Sequence, residues 1–113
     1  MSDYYIKAVL LEECQYSIAA ENLFKNNNIM FENIKVNYNN KNDYKTNLIN
    51  TFPQIYLCKN NNNGTQLLGG YDDINSFISN FKGKQYNEQL IQKFMDKYSM
   101  SKKAILRLIQ LIN

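Results

Sequence analysis

The apolar positions of this chain change period several times, and each change marks an element. Tyr4 to Leu11 is a short apolar run ending at Glu12, the pattern of a buried strand. From Gln15 to Lys25 the apolar residues recur as Ile18, Ala19, Leu23 and Phe24, which predicts a helix packing one face and stopping at an asparagine run. Met30 to Val36 alternates, Met30, Glu32, Ile34 and Val36 against Phe31, Asn33 and Lys35, and predicts a strand. Asp43 to Ile49 reads as a short helix capped by Asn42 or Asp43. The single proline, Pro53, precedes a strand at Gln54 to Leu57, and "NNNNGTQLLGG" reads as an expanded hairpin turn into a short strand at Gln66 to Leu68. In "GGYDDINSFISNF" a glycine turn and an aspartate cap lead into a helix with Ile74, Phe77 and Ile78 inward. The order to this point is β-α-β-α-β-β-α. Tyr86 to Asn113 is helical twice, first with Leu90, Ile91, Phe94 and Met95, then, after Ser99 or Ser101 as cap, with Ile105, Leu108, Ile109 and Ile112. No internal repeat is visible.

Composition narrows the chemistry. A chain of 113 residues, 44% hydrophobic with nine Tyr and six Phe, suits one domain with a modest core and no disulfides. The net charge of +3 is too mild, and the lysines too scattered, for a nucleic-acid partner. There is no histidine, which removes His-based triads, His metal sites and His general bases. Two cysteines, Cys14 and Cys58, are too few for a disulfide scaffold and have no zinc spacing. The start "MSDYYIKAVLLEEC" lacks the form of a signal peptide, and no apolar run nears the ~20 residues of a membrane span, so no membrane association is expected and the chain reads as a cytoplasmic protein of a reducing compartment. Asn, Lys, Ile and Tyr are abundant and arginine occurs once, at Arg107. This bias fits an AT-rich genome such as that of a large virus or a parasite; a viral protein would sit in host cytoplasm or the virion. The runs Asn26 to Asn28 and Asn60 to Asn63 read as loop fillers of the same bias.

Cys14 sits where a strand ends and a helix begins. There the thiolate, the reactive form, is favoured by the helix N-terminal N–H groups and dipole. The plain alternative is a small inert core cysteine, and at an isolated junction both readings stand. Three stretches in order shift the balance: "CQYS" at Cys14 to Ser17, "TFPQIYL" at Thr51 to Leu57 and "GGYDD" at Gly69 to Asp73. Together, over roughly Tyr4 to Phe81, they resemble the glutaredoxin family, with its C-x-x-C or C-x-x-S site, its T-x-P with a cis proline and its G-G-x-D-D before a helix.

The resemblance implies a thioredoxin-like α/β fold: a four-stranded mixed sheet flanked by helices, with residues 1–82 as the glutaredoxin-like domain and 83–113 as a helical C-terminal extension packed on it. It implies a glutathione-dependent thiol–disulfide oxidoreductase acting on glutathione mixed disulfides, with glutathione as co-substrate and glutathionylated proteins as partners. Cys14 and Ser17 become the catalytic pair. Ser17 stands in the resolving position, cannot form a disulfide and can hydrogen-bond the Cys14 thiolate, so the mechanism is monothiol. Tyr16, Phe52, Pro53, Gly70, Tyr71 and Asp72 become the glutathione-binding residues. The Phe52 backbone is open to pair with an extended peptide, the two glycines allow close backbone approach, the Tyr71 and Asp72 N–H groups can seat a carboxylate, and Asp72 or Asp73 can accept an ammonium. Plain readings stand beside these: a strand start for Pro53 and an N-cap for the aspartates.

The chain also departs from the family. The family's lysine three residues before the cysteine is Leu11 here, Glu12 and Glu13 directly precede Cys14, and Asn50 replaces a basic residue before T-x-P. The acids oppose the helix dipole at the thiol, and Lys7 and Lys45 are the candidate substitutes for the missing cations. Two other functions stay open: a glutathione-ligated 2Fe-2S cluster carrier with Cys14 as the protein ligand, and a catalytically weak binding module of the same fold. Cys58 is expected to be a spare thiol. The tail is expected to complete the core, with a docking surface as the sharper alternative, and a monomer is expected, a dimer being open through the C-terminal helices or a bridging cluster.

Overall fold

A computed structural model describes residues 3–60 and 64–113. The Asn61–Asn63 part of the expected hairpin turn lies outside the described residues. The elements are β1 Tyr4–Leu11, α1 Gln15–Asn26, β2 Glu32–Val36, a 3-10 turn Lys41–Tyr44, β3 Gln54–Lys59, β4 Thr65–Gly69, α2 Tyr71–Phe81, α3 Glu88–Tyr98 and α4 Lys102–Ile112. The strands form one mixed sheet in the order β2-β1-β3-β4. β1 and β2 run parallel, Val9 opposite Ile34, and α1 is the crossover that such a pair requires. β3 runs antiparallel to β1, Ile6 opposite Leu57, and β4 antiparallel to β3.

The two-residue period of the strands divides the core. Ile6, Ala8 and Leu10 of β1 face the same way as Ile55 and Leu57 of β3 and Leu68 of β4. Buried residues of all four α-helices close over that face: Ala20 and Phe24, Ile74 and Phe77, Ile91 and Phe94, Ile105 and Leu108. Burying each large side chain contributes about 1.5–3 kcal/mol, so this layer supplies most of the stability. The opposite face holds a smaller cluster, Val9, Leu11 and Val36, with Ile34, Tyr44, Phe52 and Tyr56 half-buried against it. The C-terminal helices belong to the main core: Phe94 packs on Phe77 and Phe81 at ring distances of 4.9 Å. No helix among the described residues is long and apolar enough to cross a membrane.

The structure corrects the sequence reading in four places. The buried face of α1 is Ser17, Ala20 and Phe24, and Ile18 is half exposed; the helix is rotated because its first turn is oriented by the end of β1. Met30 lies outside β2 and is exposed, while Phe31 stacks on Phe24 at 4.6 Å. The helix expected over Asp43 to Ile49 is absent. A 3-10 turn ends at Tyr44, and the Thr46 hydroxyl accepts from the Leu48 and Ile49 N–H groups, each at 3.1 Å. A threonine that satisfies the backbone locally competes with a helix too short to nucleate by itself. The cap of α2 is Gly70, with Asp73 reaching back to its N–H at 3.0 Å, so the aspartate caps from inside the helix. Of the two serines considered for α4, Ser101 is the N-cap, accepting from the Ala104 N–H at 3.1 Å; Ser99 ends α3 in the left-handed conformation.

Candidate active site

The turn from β1 into α1 delivers Cys14 to its place. Glu12 N–H donates to the Val36 carbonyl at 2.8 Å, and Glu13 takes a left-handed φ of 63° that swings the chain toward the helix. Cys14 is the N-cap of α1. The first turn of the helix is Gln15, Tyr16 and Ser17, with no acidic side chain, and the first N–H groups of an α-helix have no partner within the helix. Cys14 Sγ points at the Phe52 carbonyl oxygen, 3.9 Å away. The Phe52–Pro53 peptide bond is cis.

Beside this pair runs a groove of about 500 Å³. Tyr16, Phe52, Pro53, Gly70, Tyr71 and Asp72, the residues singled out from sequence for glutathione, all line it. They come from α1, the segment before β3, and the start of α2, elements that meet only in the folded sheet. The Tyr16 and Tyr71 rings stand 6.4 Å apart. Leu48 and Ile49 also line the groove and were missed, because their segment was read as a helix; Thr51, the first residue of the T-x-P motif, lines it too. Leu48 is 81% exposed, and an apolar residue left in water beside a groove is a signal that sequence alone does not carry.

The two glycines differ in their reason. Gly69 has φ +125°, and a Cβ there would lie 2.1 Å from the Asp73 carboxylate. It is glycine to admit that carboxylate. Gly70 has ordinary backbone angles, and a Cβ there would meet only the Pro53 carbonyl at 3.6 Å. Asp73 has both oxygens engaged, one by the Gly70 N–H and one by the Tyr98 hydroxyl at 2.8 Å. Asp72 is exposed in the groove, and of the two acids it is the better placed to meet an ammonium.

Charge around the groove is acidic. Its lining holds Asp72 and Asp73 and no lysine or arginine. Leu11 is buried in the small cluster that packs under Cys14. Neither Lys7 nor Lys45 lines the groove; Lys7 lies over the Tyr56 ring at 5.1 Å. Glu12 and Glu13 are exposed, where salt screens them over about 8 Å.

Ser17 is buried, and its oxygen accepts from the Leu11 N–H at 3.0 Å. That bond uses one lone pair of the hydroxyl oxygen. Both cysteines are free. Cys58 is buried on β3 opposite Tyr5, on the sheet face away from the four helices, and burial pushes its thiol up. Among the described residues no three His, Cys, Asp or Glu side chains gather as a metal site. Cys14 is the one thiol beside the groove, so this chain offers a glutathione-ligated cluster a single sulfur ligand.

A Gln next to the proline completes the frame. Gln54 is buried, donates to the Tyr44 carbonyl at 2.9 Å and accepts from the Tyr56 hydroxyl at 2.9 Å, pinning the 3-10 turn beside Pro53. Its polarity at the start of a strand gave no hint of this role.

The fold is a thioredoxin-like α/β fold, with a thiol at the mouth of its first strand–helix turn. Among solved structures, glutaredoxin 1 from Francisella tularensis, complexed with cacodylate, is similar: the TM-score is 0.55 and the identity 20%, over 72% of this chain and 99% of that one. At that identity the likeness is one of fold. No family model matches the chain, and no curated protein matches it.

Proposed function

We propose that this chain is a glutathione-dependent thiol–disulfide oxidoreductase that works through one cysteine. The observation that carries the reading is Cys14 at the N-cap of α1, its sulfur 3.9 Å from the carbonyl of the residue before a cis proline, beside a groove that ends on the α2 N-terminus. Attack requires the thiolate form of this cysteine. The groove suits an extended peptide, with the Phe52 backbone for pairing and the Tyr71 and Asp72 N–H groups for a carboxylate.

In the reaction the Cys14 thiolate attacks the glutathione sulfur of a mixed disulfide. A Cys14–glutathione disulfide forms, the substrate sulfur leaves as a thiolate and takes a proton from water. The thiolate of a second glutathione then attacks the bound glutathione sulfur. Glutathione disulfide leaves, and Cys14 is again a thiolate. The incoming glutathione is the reductant: its sulfur becomes half of the glutathione disulfide while the substrate sulfur leaves as a thiol, so one disulfide is exchanged for another and no second protein thiol takes part. Ser17 holds the turn and offers a proton to the Cys14 sulfur while it is charged.

The test is turnover of a small-thiol–glutathione mixed disulfide, coupled to glutathione reductase and NADPH. Cys14→Ser is expected to abolish it and Cys58→Ser to leave most of it. An inactive Cys58→Ser beside an active Cys14→Ser would put the chemistry on the wrong cysteine.

A further inference from the structure

The C-terminal helices reach the groove through one side chain. Tyr98, the last residue of α3, donates its hydroxyl to Asp73 Oδ1 at 2.8 Å. Asp73 Oδ2 accepts from the Gly70 N–H at 3.0 Å. Gly70 is the N-cap of α2 and, with Tyr71 and Asp72, lines the groove. Gly69 leaves the room in which that carboxylate lies. Tyr98 is itself held at both ends. Its carbonyl accepts from Gln66 Nε2 of β4 at 3.2 Å, and its ring packs on Phe77 at 4.7 Å and on Phe94 at 5.8 Å.

The torsion that turns a carboxylate plane is soft and roughly two-fold. An aspartate bonded through one oxygen can swivel and loosen the backbone it caps; one bonded through both oxygens, to different elements, cannot without breaking a bond. We infer that Tyr98 is a positioning residue for the groove: through Asp73 it fixes the Gly70–Asp72 backbone that receives the glutathione part of the substrate. The inference rests on the reading of the groove given above. Burial first, and the Asp73 carboxylate second, push the Tyr98 hydroxyl well above the usual tyrosine range, so it stays a donor at any pH where the enzyme would act. The plainer role, a staple between α3 and α2, would leave substrate affinity untouched.

Tyr98→Phe keeps the ring and removes only the hydroxyl. The expected result is a KM for the mixed disulfide raised about five- to tenfold, the effect of one lost hydrogen bond. The kcat and the pH profile of Cys14 alkylation by iodoacetamide should not move. Amide exchange followed by NMR should quicken about tenfold at Gly70 and stay the same at Leu11, whose N–H is held by Ser17. Adding Tyr98→Phe to Asp73→Asn should raise KM no further than Asp73→Asn does by itself. A wild-type protein without turnover on the mixed disulfide would sink the functional reading and this inference with it. Wild-type turnover beside an unchanged KM in Tyr98→Phe, an unchanged Gly70 amide, or a kcat that falls in step with the alkylation rate would sink the inference by itself.

Discussion

Ser17 is 2% exposed, and the hydrogen bond it accepts spans the turn that carries Cys14. Its partner, the Leu11 N–H, belongs to the last residue of β1, while Ser17 lies in the first turn of α1. One bond therefore clamps the two ends of the Glu12–Cys14 segment. Glu13 in that segment is held in a left-handed conformation that costs a non-glycine residue about 1 kcal/mol, so the clamp opposes a real tendency to relax. Ser17→Ala would leave a buried N–H without its partner, which costs about 1–3 kcal/mol. The expected outcome is a stability lower by about 1–2 kcal/mol in urea unfolding, with the slope unchanged; an unmoved midpoint would mean that water replaces the hydroxyl. A serine at this position has a structural reason to be there that holds whether or not the thiol is reactive.

At the level of elements, the start of α2 separates two glycines that look alike in the sequence. Gly69 sits at φ +125° against the Asp73 carboxylate, so Gly69→Ala meets both a backbone strain and a collision. It is expected to lower stability by more than about 1 kcal/mol and to weaken the cap. Gly70→Ala, at ordinary angles and with a 3.6 Å nearest contact, is expected to change stability by about half a kcal/mol or less, or to raise it slightly. Urea midpoints of the two variants decide it; equal losses would mean that Asp73 does not occupy its place. The segment before β3 teaches the converse. Its residues read as a short capped helix, but the Thr46 hydroxyl and the Gln54 side chain hold it as a pinned loop, and that loop lends Leu48 and Ile49 to the groove.

For the whole molecule, the two faces of the sheet differ in cover, and titration should report it. Burial keeps the proton on Cys58, and the neighbouring Cys58 charge, then burial, keep it on Tyr5. Burial and then Cys58 hold Tyr56 protonated, and burial and then Asp73 hold Tyr98. In each case the fold retains a proton to higher pH than the unfolded chain does. Their contribution to stability is full below the ordinary values, 9.0 for cysteine and 10.0 for tyrosine, and falls as pH climbs past them, because the unfolded chain releases protons that the fold still holds. Urea midpoints are expected to be level from about pH 6 to 8 and to fall between about pH 9 and 11, less steeply in Cys58→Ser. A level midpoint up to about pH 11 would mean that these groups are solvated as freely in the fold as outside it.

Local pattern determined the strands and the four α-helices in their order, but not the segment between β2 and β3, where a 3-10 turn stands in place of the expected helix. A strand ending at Leu11, a helix beginning after Cys14 and a serine cap on the last helix follow from apolar period and cap chemistry, which depend on neighbours within a few residues. The three short motifs also picked out Tyr16, Phe52, Pro53, Gly70, Tyr71 and Asp72, which line one groove together with residues the motifs do not contain. Tertiary structure decided the rest. Periodicity records that a residue is buried without saying against what, so the rotated face of α1 and the gathering of all four helices over one sheet face were not legible. The bond from Tyr98 to Asp73 spans 25 positions and exists only because α3 closes over α2, and Gly69 is constrained by a carboxylate whose direction that closure sets. Such contacts are consequences of chain closure, and no local signal encodes them.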